Sequence, residues 1–246
     1  MWLYGPKMLN DILVKIQTFT QHGQKSLVVF DLDSTLFDVS PRLERILLDF
    51  AAMPINQRRF PEQVELLKTI STLRSDWGIA GALTRAGLDG HHPDFQNAIK
   101  AYWQKNFFSN HYLQFDSVYE GAVEFVQAVQ KAGADIAYLT GRDVERMGIG
   151  SEEVLRDWNF PLDESAQLIL KPHRSMDDAE FKTAWFEDAA KQNYQKIYFF
   201  ENEPVNLHHM IGRGTSVEII FFESTHAGKA EPPANIPRIM NFLLNQ

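Results

Sequence analysis

The residues Asp31-Leu32-Asp33-Ser34-Thr35 directly follow the apolar run Leu27-Val28-Val29-Phe30. Carboxylates two residues apart repel each other unless a cation lies between them or one holds a proton. Either arrangement suits catalysis, with one carboxylate as nucleophile and the other as proton carrier. The bland alternative is an acidic turn whose Asp caps the next segment. A calcium-binding EF-hand loop does not fit, because Leu36 stands where Gly is required and Arg42 where the final Glu belongs.

Three further groups follow later apolar runs. Thr140-Gly141-Arg142 comes after Ile136-Ala137-Tyr138-Leu139. A Thr hydroxyl and the backbone N–H groups around a Gly can bind phosphoryl oxygens at a helix start, although the same residues could simply cap a helix with Arg142 in solvent. Lys171, after Leu168-Ile169-Leu170, offers a compact positive charge for an anionic intermediate; an isolated loop Lys is more ordinarily a surface residue. Glu201 and Asn206, after Ile197-Tyr198-Phe199-Phe200, are oxygen donors of the kind a hard cation such as Mg²⁺ takes, or else part of a polar turn around Pro204. The weight lies in the order: an Asp pair, a Thr, a Lys and a Glu each end an apolar run. Adjacent His pairs, His91-His92 and His208-His209, do not face one site on a helix and read as polar surface.

The apolar runs are continuous rather than alternating, as in strands buried on both faces. A fifth run spans Val217 to Phe222. Amphipathic stretches separate the runs: Ala122, Phe125, Val126 and Val129 before Gly133, and roughly 177–191 with Ser175 or Asp177 as its cap. Leu9, Ile12, Leu13 and Ile16 mark a first helix, and Ile239, Met240 and Leu243 a last one beyond Pro232-Pro233. The expectation is an α/β protein with a Rossmann-like parallel five-stranded sheet and right-handed crossovers. Residues 38–117 hold no strand run and are too long for an ordinary connection. They read as helices over about 41–52, 61–73 and 94–108, hence as an all-helical cap domain, with a discontinuous core formed by residues 1–37 and 118–246.

The chain of 246 residues is long enough for such a core and insert, and its net charge of −8 argues against a nucleic-acid scaffold or a polybasic membrane binder. The absence of cysteine excludes disulfides, thiolate catalysis and Cys-based zinc sites. Polar residues interrupt the first twenty positions, so no signal peptide is expected, and no run suffices to span a bilayer. A cytoplasmic protein is the expectation.

At these residues the sequence resembles the haloacid dehalogenase superfamily, in particular its phosphatase members. Asp31, Asp33 and Thr35 match that family's first motif, Asp-x-Asp-x-Thr after a hydrophobic strand. Thr140, Lys171 and Glu201 with Asn206 match its second, third and fourth, except that the fourth usually carries two Asp residues. The resemblance implies a cap inserted after the first motif and a Mg²⁺ held by Asp31, the Asp33 carbonyl and Glu201, with Asn206 assisting. It further implies Asp31 as the phosphate-accepting nucleophile, Asp33 as acid and base, and Thr140, Gly141 and Lys171 on the phosphate of a small phosphorylated metabolite. Halide-removing relatives usually lack the second Asp, so Asp33 favours phosphoryl chemistry. A phosphotransferase or phosphomutase with the same nucleophile, and a silent binding protein, are the alternatives.

Overall fold

The computed structural model describes residues 5–90, 92–212 and 217–244. In chain order its elements are α1 (Gly5–Gln21), β1 (Ser26–Phe30), β2 (Phe37–Asp38), α2 (Ser40–Ala52), α3 (Pro54–Arg59), α4 (Pro61–Leu67), α5 (Ala80–Arg85), α6 (Pro93–Phe107), α7 (Asn110–Leu113), β3 (Ser117–Val118) and α8 (Ala122–Ala132). They continue with β4 (Asp135–Asp143), α9 (Val144–Asp157), β5 (Ala166–Lys171), α10 (Asp178–Ala189), β6 (Lys196–Glu201), α11 (Pro204–Gly212), β7 (Val217–Phe222) and β8 (Arg238–Ile239).

Every residue of β1 is buried because the strand lies mid-sheet with apolar layers on both faces. Val28 and Phe30 join Tyr138, Phe200 and residues of α1 and α8 on one side, while Leu27 and Val29 join Leu139, Phe199, Leu207 and Met210 on the other. The sheet order is β5-β4-β1-β6-β7-β8, with every neighbouring pair parallel. The sheet therefore has six strands where five were expected. The extra one, β8, falls in the stretch read as a closing helix. Pro232, Pro233 and Pro237 discourage a helix there, and the extended chain lets Ile239 pair with Phe222 and buries Phe242 among the core aromatics.

Helices α2 to α7 lie between residues 40 and 113, and the apolar side chains of this segment gather in a cluster of their own, from Leu43 and Phe50 to Phe95 and Ile99. The chain enters and leaves this segment through an antiparallel ribbon in which Phe37 faces Val118 and Asp38 faces Ser117. The second of the expected helices stops at Leu67, not near 73. Beyond it the chain turns so that Thr72 binds the Glu44 carboxylate and the Ser40 carbonyl.

The insert also touches the sheet domain where α7 meets α9. The Gly150 N–H donates to Asn110 Oδ1 at 2.8 Å, and a Cβ at position 150 would lie 2.6 Å from the Asn110 carbonyl oxygen. Gly150→Ala should therefore lower stability by roughly 1–3 kcal/mol, the usual cost of forcing a methyl group into packed backbone. Thermal unfolding checks this, and an unchanged midpoint would mean that the two helices do not pack so closely.

Candidate active site

Parallel pairing carries Asp31 and Glu201 to the same rim. The Asp31 N–H donates to the Phe200 carbonyl at 3.0 Å, extending the β1–β6 register one step past the strand. Ser34, at φ 62°, then turns the chain, its N–H donating to Phe37 O at 2.7 Å, and Thr35 donates to Asn202 Oδ1. Between the two carboxylates sits an ammonium from α10. Lys182 Nζ donates to Asp31 Oδ1 at 2.5 Å and to Glu201 Oε2 at 2.6 Å, and all three side chains are buried.

Burial, together with the neighbouring Glu201, pushes the Asp31 carboxyl up to about 7, although Lys182 pulls the other way. Burial works against the Lys182 charge too, but Asp31 and Glu201 outweigh it and hold the ammonium firmly protonated. Glu201 is saturated: Oε1 accepts the N–H groups of Asn202 and Glu203, and Oε2 accepts Asn206 Nδ2 beside Lys182.

Asp33 stands in a second charged cluster. Arg142 grips both of its oxygens, Nε to Oδ2 at 3.1 Å and NH2 to Oδ1 at 2.7 Å, and Arg42 NH2 reaches Oδ1 at 2.6 Å. Both guanidinium groups also bond Asp116. Burial opposes the charge on Asp33, but Arg142 and Arg42 more than compensate, holding its carboxyl well below the usual carboxylate range. The wholly enclosed Asp116 is instead lifted by burial.

A family model described as haloacid dehalogenase-like hydrolase matches residues 25–176. The chain belongs to the haloacid dehalogenase-like hydrolases. The solved structures similar to it share the α/β Rossmann-like fold. A candidate haloacid dehalogenase-like hydrolase from Burkholderia xenovorans LB400 is 16% identical at TM-score 0.51, covering 89% of this chain and 94% of that one. A subfamily IA hydrolase from Geobacter sulfurreducens PCA is 14% identical at TM-score 0.50, covering 89% and 93%. A candidate phosphatase from Clostridium difficile is 14% identical at TM-score 0.53, covering 81% and 86%. No curated protein matches the chain.

Lys182 and Glu201 of this haloacid dehalogenase-like hydrolase lie beyond the matched stretch. The structure corrects the sequence reading of several residues. Lys171, expected at the reacting group, gives its ammonium to Asp178 Oδ1 and the Met176 carbonyl; Lys182 is the lysine on Asp31. It was missed because it does not end a strand. Its signal was helical spacing: Ala179, Lys182, Phe186 and Ala189 share the buried face of α10, and a Lys on such a stripe needs a partner. Arg142, expected in solvent, is buried.

Thr140 is buried at the rim, and its hydroxyl oxygen accepts the Arg142 N–H at 3.2 Å. No helix starts there, because β4 continues to Asp143, which caps α9 by accepting the Arg146 N–H. A Cβ on Gly141 would lie 2.4 Å from the Asp178 carboxylate, which would have to swing aside to admit one. Asn206 spends its amide nitrogen on Glu201. Glu203 Oε2 accepts the Ala227 N–H, leaving Oε1 buried without a partner. Phe37 and Asp38 are structural: Phe37 lies in the core, and Asp38 holds Ser40 and Arg74. His208 binds the Glu231 carbonyl and His209 is exposed, while His91 lies outside the described residues.

Among the described residues no three His, Cys, Asp or Glu gather as a metal-binding group, and no helix is long and apolar enough to cross a membrane. When ionised, Asp31 and Glu201 nevertheless carry one more negative charge than Lys182 neutralises, and Lys182 engages only one oxygen of Asp31. A hard cation that takes one carboxylate, water and substrate oxygens fits that surplus. Glu201, with both oxygens occupied by protein donors, fits less well as a direct ligand than the sequence suggested.

Proposed function

We propose that this hydrolase releases phosphate from small phosphate monoesters by way of an aspartyl-phosphate on Asp31. The supporting observation is the Asp31 carboxylate at the end of a central strand, bonded through a single oxygen to an ammonium that it shares with Glu201. Such a carboxylate is fixed in direction yet keeps one oxygen for attack.

In this reading Asp31 attacks phosphorus as the ester oxygen departs. Asp33 protonates that oxygen, using a proton brought by the ester when it binds as the monoanion. Water then attacks the aspartyl-phosphate and gives its proton to Asp33, which releases phosphate and restores Asp31. The ionised Asp33 of the structure is poised for this second transfer, and its side chain, 31% exposed, is the most accessible charge of the two clusters. Thr140 and the Gly141 N–H hold phosphoryl oxygens at the rim, while the Lys182 ammonium offsets the charge that gathers there. Asn206 keeps Glu201 turned toward Lys182. Mg²⁺ would be held by the Asp31 carboxylate and the Asp33 carbonyl, with Glu201 and Asn206 behind them, and when bound it supplies charge screening between carboxylate and phosphate. The Asp31 side chain is only 8% exposed, which keeps bulk water from the attacking carboxylate.

Phosphate release from p-nitrophenyl phosphate, measured with Mg²⁺ and after exhaustive chelation, tests the reading. Turnover should rise at least tenfold or so with Mg²⁺. No release above background at high enzyme concentration, across aryl and alkyl phosphates, would defeat it. A screen of phosphorylated metabolites would then name the substrate.

A further inference from the structure

We propose that Arg42, Asp116 and Arg142 are positioning residues that mount Asp33, across the junction of helical insert and sheet, with its Oδ2 edge facing the reacting group. This rests on the phosphatase reading above for the identity of that group. The mount draws on separate parts of the chain: Arg42 lies in the first turn of α2, Asp116 just before β3, and Arg142 next to the last residue of β4. Each arginine forks onto one carboxylate and reaches the other. Arg142 takes Asp33 through Nε and NH2 and touches Asp116 at 3.0 Å; Arg42 takes Asp116 through Nε and NH2 and touches Asp33 at 2.6 Å.

The cluster is asymmetric in a way that points to use. Arg42 and Asp116 side chains are 0% exposed and Arg142 1%, whereas Asp33 keeps 31%. Three members are sealed and one looks out. Asp33 Oδ1 accepts two N–H groups and Oδ2 only one, so the oxygen with spare capacity is Oδ2. The forks are themselves braced. Arg42 lies 4.5 Å over the Phe107 ring and donates to the Phe107 carbonyl; Arg142 lies 5.6 Å over Phe37 and donates to Ser151 Oγ. A buried four-charge network is seldom the cheapest way to stabilise a fold, since apolar side chains of equal volume do as well or better. What it provides here is one orientation of one carboxylate. Lys could supply the charge but not the planar fork. Because Arg42 belongs to the insert, Asp33 is fully gripped only while α2 rests on the sheet.

The test uses the full-length protein, Arg142→Lys, and the charge-balanced double variant Arg42→Met with Asp116→Asn, which leaves the Asp33–Arg142 pair intact and no unpaired charge. Kinetics on p-nitrophenyl and phenyl phosphate, thermal unfolding, and crystal structures of the variants are the readouts. Both variants should fold, with kcat reduced roughly 10- to 100-fold and KM within about threefold. The loss should be greater on phenyl phosphate, whose poorer leaving group depends more on a well-placed acid, and the Asp33 carboxylate should shift in the crystals. An Asp33 that keeps its position in both variants overturns the proposal, as does a loss that is equal for both substrates and follows stability alone. Should the wild-type protein release no phosphate from any ester, the phosphatase reading fails, and the Asp33 positions in the crystal structures decide the mount by themselves.

Discussion

Asp31→Asn is expected to abolish phosphate release, by at least about 10⁴-fold, and at the same time to stabilise the metal-free protein at neutral and alkaline pH. The first effect follows from removing the attacking oxygen while keeping the side chain's shape. The second follows from the charge around it. Asp31 and Glu201 share the ammonium of Lys182, and burial, reinforced by Glu201, lifts Asp31 from an ordinary 3.8 to about 7. A carboxyl whose folded value is raised favours folding fully below its unfolded value, and that contribution is lost as pH climbs through the folded one. Wild-type stability should thus decline between about pH 4 and 7 on this account, and the Asn variant should lack the decline. The gain should reach roughly 4 kcal/mol at pH 8 and vanish near pH 4, because an amide leaves Lys182 and Glu201 as a balanced pair. Chemical denaturation of both proteins at pH 4.5 and 8, in chelator, checks this. A variant that is less stable at pH 8 would mean that the carboxylate is not strained by its surroundings, and retained turnover would mean that another group is the nucleophile.

Lys182→Met should be nearly as damaging, for the opposite reason. It leaves Asp31 and Glu201 side by side without a counter-charge. Removing one partner from a buried ion cluster typically costs about 3–5 kcal/mol, or on the order of 10 °C in Tm for a chain of this size. Loss of a positive charge at a site where phosphoryl oxygens gather should reduce kcat by roughly 10²–10³-fold. Lys171→Met is the informative control. Lys171 pairs with the half-exposed Asp178, so its removal should leave turnover within about tenfold and cost less than about 1 kcal/mol. The reverse pattern, with Lys171 essential and Lys182 dispensable, would return the assignment to the lysine that ends β5 and contradict the geometry.

The two lysines show where local reading loses its grip. A residue that ends a buried apolar run can be located from sequence, because a parallel sheet delivers every such end to one rim. Asp31, Thr140 and Glu201 reached that rim in this way. Lys171 ends a run as well, yet β5 is the outermost strand, and its ammonium turns to Asp178 at the start of α10. Lys182 reaches Asp31 from the helix packed across the sheet, 151 positions away in sequence. Arg42 carried a similar faint sign. It lies beside Leu43, Ile46, Leu47 and Phe50 on the buried face of α2, where an unpaired guanidinium could not stay. Asp116 carried none.

What the amino-acid order determined alone was a pattern of strands buried on two faces, a helical interruption after the first, and carboxylates placed where strands stop. Periodicity and side-chain type settle such features within a few residues, because hydrophobic burial acts along the whole element. What only the tertiary structure decided was the pairing of charges: which lysine neutralises Asp31, and that Asp33 is gripped by two arginines. Those choices depend on distances of a few ångströms between elements far apart in the chain. In a buried site that spacing decides whether a charge is compensated, and no local pattern encodes it.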